Sequence, residues 1–238
     1  LLDWWPVGQG LFASGAIVGR GGPPLNWTYD CGTSSSDGLL VEALAAFKRQ
    51  QTLLGASRLR LAVLSHLDKD HISGIVRLLG QFEVQTLLLP YIPLWRRLVI
   101  AIEQGISVDD EIFDFFLDPA AWLDARGDGR IGEILFVPGA GPDDLPPDAR
   151  EGEDDERGPE EGRLDLKPEY GDTPLEADEN LTSPAAGMRV QVRFLRRGGR
   201  LVAPLFWEFV PYNDETLAPR ATPAFLRAAG PLIETLRD

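Results

Sequence analysis

The chain has 238 residues, 44% of them apolar, with 37 acidic side chains against 23 basic ones and a formal charge of -14. That is enough apolar material for one large or two small cored domains, and it excludes a disulfide miniprotein and a wholly disordered tail. So negative a surface repels polyanions, so any nucleic-acid contact needs a local site. The single cysteine, Cys31, excludes an intrachain disulfide and a multi-cysteine zinc site, which makes the cytoplasm the expected compartment.

The first elements read as a β-hairpin, Leu11 to Val18 and Asn26 to Asp30, joined through Gly19, Gly21, Gly22, Pro23 and Pro24. Asp37 is placed to cap a helix in which Leu40, Ala43, Leu44 and Phe47 recur at three- and four-residue spacing, running to about Leu54. Leu59 to Leu64 is a short apolar run ending in Ser65 and His66, the pattern of a buried strand with a polar carboxyl end. From His71 the residues Ile72, Ile75, Leu78 and Leu79 predict one helix to Gly80, and Val84 to Leu89 predicts the next strand. Helices over Leu94 to Gln104 and Val108 to Phe116 then precede a strand at Ile134 to Val137.

From Gly141 to Asn180 there are 16 acidic and 4 basic residues, so this stretch carries -12 of the total charge. Rich in Pro and Gly and poor in branched apolar residues, it cannot bury enough surface to offset the entropy of ordering. Residues 141–183 are therefore expected to be a flexible acidic insertion between a half-domain at 1–140 and a continuation at 184–238. It is a candidate arm for a protein partner. The continuation predicts strands at Arg189 to Phe194 and Phe206 to Val210 and a helix from Thr222, with Pro223 in its first turn. RFLRRGGR at Arg193 to Arg200 reads as a hairpin able to pair with the acidic arm or to bind phosphate. No apolar run approaches the roughly 20 residues that a membrane-spanning helix needs.

Chemistry concentrates in one place. The two histidines of the chain lie five positions apart in SHLDKDHISG, so His66, Asp68, Asp70 and His71 put two imidazoles and two carboxylates just after a predicted strand. Imidazole nitrogen and carboxylate oxygen are ligands for zinc, manganese or iron. The competing reading is a solvated turn in which Asp70 caps the helix starting at His71. Cys31, small and following a strand, is expected to be inert. Trp122, Trp207, Arg96 and Arg97 are candidates for a substrate groove, the arginines as phosphate contacts, against the simpler reading of aromatic packing beside a surface helix.

WPVGQG at Trp5 to Gly10, YDCG at Tyr29 to Gly32 and VLSHLDKDHISGI at Val63 to Ile75 occur in an order and spacing that resemble the metallo-β-lactamase-fold hydrolases. An Asp in place of the second His of the usual His-x-His-x-Asp-His signature is similar to the metallo-β-lactamase-like domains of bacterial competence DNA-uptake proteins and their stand-alone relatives. The resemblance covers about the first 90 residues and implies a four-layer αββα sandwich of the α/β (α+β) class. It also implies a divalent metal, zinc first and manganese second, with His66 and Asp68 holding one ion and Asp70 and His71 another. Asp70 would also be catalytic, orienting or deprotonating water, and Asp30 would lie below the site as a supporting residue. Gly8 and Gly10 would let the first hairpin approach closely. The implied substrate is a small molecule or a phosphodiester, nucleic acid included.

The family also needs later ligands, and no histidine follows His71. The pairs Gly127-Asp128 and Gly171-Asp172 do not sit in convincing ligand contexts. With no initial Met and an end inside a helical pattern, the chain is expected to be a piece of a longer protein, its sandwich incomplete in the C-terminal half. The alternative expectation is a catalytically incomplete binding or regulatory module.

Overall fold

A computed structural model describes residues 1–19, 22–141, 144, 165–174, 187–203 and 207–214. The first strands are β1 (Leu2–Trp4), β2 (Ala13–Ile17) and β3 (Leu25–Tyr29), followed by α1 (Asp37–Leu53) and β4 (Arg58–Val63). Next come α2 (Lys69–Ile72), α3 (Ile75–Leu79), β5 (Glu83–Pro90), α4 (Leu94–Glu103), α5 (Phe113–Leu117), α6 (Pro119–Gly127) and β6 (Ile131–Val137). Five short strands complete the set: β7 (Lys167–Pro168), β8 (Tyr170–Gly171), β9 (Gln191–Leu195), β10 (Leu201–Ala203) and β11 (Trp207–Phe209).

Eight strands form one sheet in the order β1-β2-β3-β4-β5-β6-β9-β8, parallel from β3 through β9 and antiparallel at both margins. The helices α1 and α3 to α6 share one apolar core with one face of this sheet. Register explains the division: Ala62, Leu87 and Ile134 lie side by side and point to the helices, whereas their successors Val63, Leu88 and Leu135 point the other way. On that second face the small sheet β11-β10-β7 closes a separate core of Leu25, Leu61, Leu88, Leu135, Leu195 and Leu201. The chain is thus a mixed α/β protein with three layers among the described residues: helices, a large sheet and a small sheet.

Helix α1 shows how the pattern acts. Leu40, Ala43, Leu44 and Phe47 form one buried stripe, and Phe47 meets Trp5, Phe12 and Phe82 ring to ring. Burying each such side chain contributes roughly 1.5–3 kcal/mol. Below Phe47 the buried Gln51 accepts from Asn26 Nδ2 at 2.7 Å, and Asn26 Oδ1 accepts the backbone N–H of Arg60, so this buried polar link is satisfied.

Several expectations are corrected. Ser36, not Asp37, occupies the N-cap of α1, and the Asp37 side chain instead receives both Nη atoms of Arg77. The single helix expected from His71 to Gly80 is two, broken where the Gly74 N–H donates to Cys31 O at 2.8 Å. The helix expected over Val108 to Phe116 shrinks to α5, and α6 was not foreseen. Its signal was present in Asp118-Pro119: Asp118 Oδ1 accepts from Ala121 N at 2.9 Å, and Pro119 supplies a fixed φ where no donor is needed. Strand β1 was also missed.

The stretch RFLRRGGR is not a hairpin. It leaves the large sheet as β9 and enters the small one as β10, while β7 and β8 make the same change of sheet around Glu169. Glu169 is the hinge pin of this corner. Its N–H donates to Arg200 O, its carbonyl accepts from Arg196 N, and its carboxylate accepts from Arg196 Nη2 and Arg200 N. Within the expected insertion, Lys167–Pro168 and Tyr170–Gly171 are therefore strands of the two sheets, with Leu166 buried in the second core. The rest of that insertion, apart from Gly141 and Asp144, lies outside the described residues, as do Phe206 of an expected strand and the helix expected from Thr222.

Replacing Asp118 by Ala should cost about 1 kcal/mol in urea unfolding, and by Asn much less, because only the cap is lost. Burial works to raise the Glu169 carboxyl, but the hydrogen bonds and charges of Arg196 and Arg200 outweigh it and hold the carboxyl below its ordinary value. A lowered carboxyl stabilises the fold above its unfolded-state value, and that contribution is lost as pH falls through the folded-state value. With the side chain 36% exposed, the effect is screened. Glu169→Gln should lower stability at neutral pH by less than about 1 kcal/mol, and the difference from the parent should vanish in unfolding curves taken well below pH 4.5.

Candidate metal site

The site lies where the carboxyl ends of the parallel strands β3 and β4 meet, the position at which open α/β sheets gather ligands. Just past β3, Asp30 takes a left-handed backbone conformation with φ of +55°, which Asp tolerates better than most residues. This bend keeps its N–H on Val63 O at 2.8 Å and turns the side chain beneath the loop that follows β4. There the Asp30 carboxylate is wholly buried and accepts three hydrogen bonds. Oδ1 receives Ser65 N at 2.7 Å, and Oδ2 receives Ser65 Oγ at 2.6 Å and faces His71 Nδ1 at 2.7 Å.

Exposure rises outward from that point. The His71 side chain is 16% exposed, Asp70 30%, His66 43% and Asp68 51%, so the four residues form a mouth open to solvent above a closed floor. The His66 and His71 rings lie 3.7 Å apart between centroids. His66 Nδ1 is engaged by Ser65 Oγ at 2.9 Å, while its Nε2 faces Asp68 Oδ2 at 3.4 Å. In parallel, His71 Nε2 faces Asp70 Oδ2 at 3.8 Å.

The loop is held from two other directions. Gln104, at the end of α4, donates from Nε2 to Asp68 Oδ1 at 3.1 Å and to Leu67 O, and accepts Lys69 N at 2.8 Å through Oε1. From the amino-terminal side, Leu11 N donates to Asp70 O and Cys31 N to His71 O. These contacts require bare backbone. A Cβ on Gly32 would stand 2.6 Å from Asp70 O, and one on Gly10, whose φ is +150°, would stand 2.8 Å from it. The expectation for Gly10 is met in this form, while Gly8 packs against Ser35 instead.

Asp70 does not cap a helix beginning at His71. Helix α2 begins at Lys69, with Asp68 at the N-cap, and neither carboxylate is spent on a cap bond, although Asp68 Oδ1 accepts from Gln104. Among the described residues, two sets of potential ligand atoms each fall within 4.8 Å: Asp30, His66 and His71, and His66, Asp68 and Asp70. They share His66. The donor chemistry suits a divalent cation, because each imidazole spends Nδ1 on a protein partner and turns Nε2 toward a carboxylate.

Several other candidates are engaged elsewhere. Arg97 is buried and donates from all three guanidinium nitrogens to the carbonyls of Phe116, Ile92 and Leu117, tying α4 to α5, so it cannot contact phosphate. Trp122 is buried against Phe115, with Nε1 on Glu111 O. Trp207 packs on Trp27 and Phe209 in the small-sheet layer. The RFLRRGGR stretch pairs with the acidic segment, one of its two expected roles: Arg196 and Arg200 meet Glu169, Arg197 meets Asp144, and Arg193 covers the Tyr170 ring. Asp128 ends α6 and faces Arg189. Burial, reinforced by the Asp30 charge, pushes the Cys31 thiol far up, as expected of an inert thiol. Ser65 and Gln104 were missed. Ser65 precedes the first His directly, but nothing in the sequence brings Gln104 to the loop.

No family model matches the chain, and no curated protein matches it. Among solved structures, one described as "Peroxy diiron species of chemotaxis sensor ODP" is similar at 22% identity over 43% of this chain, with a TM-score of 0.25. The match spans 38% of that chain, well under half its length. No described helix is long and apolar enough to cross a membrane.

Removing the floor should be costly. Asp30→Ala strands three buried or half-buried donors and should lower stability by about 3 kcal/mol in denaturant unfolding, given roughly 1–3 kcal/mol per unsatisfied buried group.

Proposed function

We propose that this chain is a metal-dependent hydrolase with a metallo-β-lactamase-like αββα sandwich, acting on an ester or phosphodiester bond. The observation that carries the reading is the arrangement of the two imidazoles, each engaged at Nδ1 by Ser65 or Asp30 and each turning Nε2 toward a carboxylate. The helix, large-sheet and small-sheet layers are compatible with three of the four layers. The fourth has no counterpart among the described residues.

In this reading His66 and Asp68 hold one cation and Asp70 and His71 a second, zinc before manganese. A divalent cation in such a site supplies Lewis acidity and lowers the pKa of water toward neutrality. Asp30 and Ser65 keep both rings in place, and Gln104 holds one oxygen of Asp68 so that the other faces His66. Asp70 orients the attacking water and accepts its proton. Nucleic acid enters as a candidate substrate only through the resemblance to DNA-uptake domains, and a cytoplasmic location is part of the same proposal.

A second reading rests on a specific observation: with no histidine after His71, both ligand sets draw on one loop and Asp30 alone. A site so short of ligands among the described residues suits a binding or regulatory module of the same fold, its acidic stretch meeting a protein partner.

Elemental analysis of the purified chain separates the two. The hydrolase reading expects near-stoichiometric zinc or manganese, none in the His66→Ala, His71→Ala double variant, and hydrolysis of bis(4-nitrophenyl) phosphate that follows metal content. A parent chain that is folded by circular dichroism yet empty after metal addition overturns it in favour of the binding module.

A further inference from the structure

The Asp30 carboxylate touches one imidazole directly and the other through a hydroxyl, and the distances decide where the protons lie. A carboxylate only accepts, so His71 Nδ1, 2.7 Å from Asp30 Oδ2, must carry the hydrogen. Ser65 has one hydroxyl proton and two neighbours. Its Oγ stands 2.6 Å from Asp30 Oδ2, inside the range for a hydroxyl donating to a carboxylate and too short for two facing lone pairs. That proton is thereby committed to Asp30, and Ser65 N, donating to Oδ1, fixes the orientation of the pair. Ser65 Oγ can then only accept from His66 Nδ1, whose 2.9 Å separation is ordinary for N–H···O.

We infer that Ser65 is a positioning residue that relays the buried Asp30 charge to His66, so that one carboxylate sets both histidines in the same tautomer, Nδ1–H with Nε2 unprotonated. A free imidazole in water exchanges between tautomers. Here the choice is made by the floor of the site before any ligand arrives. Both Nε2 lone pairs consequently face the oxygens of Asp68 and Asp70 at 3.4 and 3.8 Å with no hydrogen between them. The relay accounts for a serine directly before the first histidine. Alanine there would leave His66 Nδ1 without its acceptor and Asp30 without one of its three donors, while threonine keeps the hydroxyl.

Long-range proton–nitrogen NMR on the metal-free chain, labelled with nitrogen-15 at histidine and held at about pH 8.5, above the ordinary imidazole range, reads each ring nitrogen directly. The expected spectrum shows Nδ1 as pyrrole-type and Nε2 as pyridine-type for both residues. In Ser65→Ala the His66 pattern should move to a mixture of tautomers while His71 stays as it was, and Ser65→Thr should restore His66. Parent spectra with Nε2 protonated at His66, or a His66 pattern unmoved by Ser65→Ala, overturn the relay. Should Ser65→Ala fail to fold, the parent and Ser65→Thr spectra decide alone, since loss of the Nδ1–H pattern in either refutes it. The readout needs no metal, so a chain that shows these tautomers yet binds no zinc fails the hydrolase reading and keeps the relay.

Discussion

A carboxylate cut off from water, Asp30, holds this end of the molecule together. Burying a charged group is costly unless hydrogen bonds replace the lost water, and two donors from Ser65 in the loop after β4 and one from His71 in α2 do so. The dependence is mutual. The loop has no regular hydrogen-bond ladder of its own, and its geometry is inherited from the acceptor beneath it, which in turn is aimed by the left-handed turn at the end of β3. Since β3 and β4 are neighbours in parallel register, the position of Asp30 relative to Ser65 follows from the sheet itself.

Around this anchor the remaining elements act as clamps. The amino-terminal hairpin reaches across with Leu11, Gly10 and Gly32, and α4 reaches back with Gln104. Each clamp contacts a different part of the six-residue run from His66 to His71, so the run is fixed at its base, middle and outer edge. Rigid support with graded exposure is the combination that a binding or catalytic constellation requires.

Much of this was legible in the sequence because it is local. The alternation and apolar runs that produce β2, β3, β4 and β5 are readable from side-chain type, and the clustering of His66, Asp68, Asp70 and His71 needs only their order. What was not legible depends on contacts between distant segments. Arg97 looks like a phosphate ligand until its three carbonyl partners are seen, and Gln104 is an unremarked polar residue at a helix end until α4 is packed. The break between α2 and α3 has the same origin: the helical period continues through Gly74, but Cys31 O claims its N–H. The reading of RFLRRGGR as a hairpin failed for a different reason, since strand propensity says nothing about which of two sheets a strand will join.

The corner at Glu169 bears on how the chain can vary in length. Strands β6 and β7 are tethered in the sheets on either side of the most acidic part of the sequence, and residues beside it are anchored too: Ala140 pairs with Asp214, Asp144 meets Arg197, Asp165 meets Arg60 and Leu166 is buried in the second core. Closure entropy grows slowly, by about 0.6 kcal/mol for each doubling of loop length. A change of chain length between Asp144 and Asp165 therefore falls between two anchored points, while the site is built from a different pair of strands, at the ends of β3 and β4.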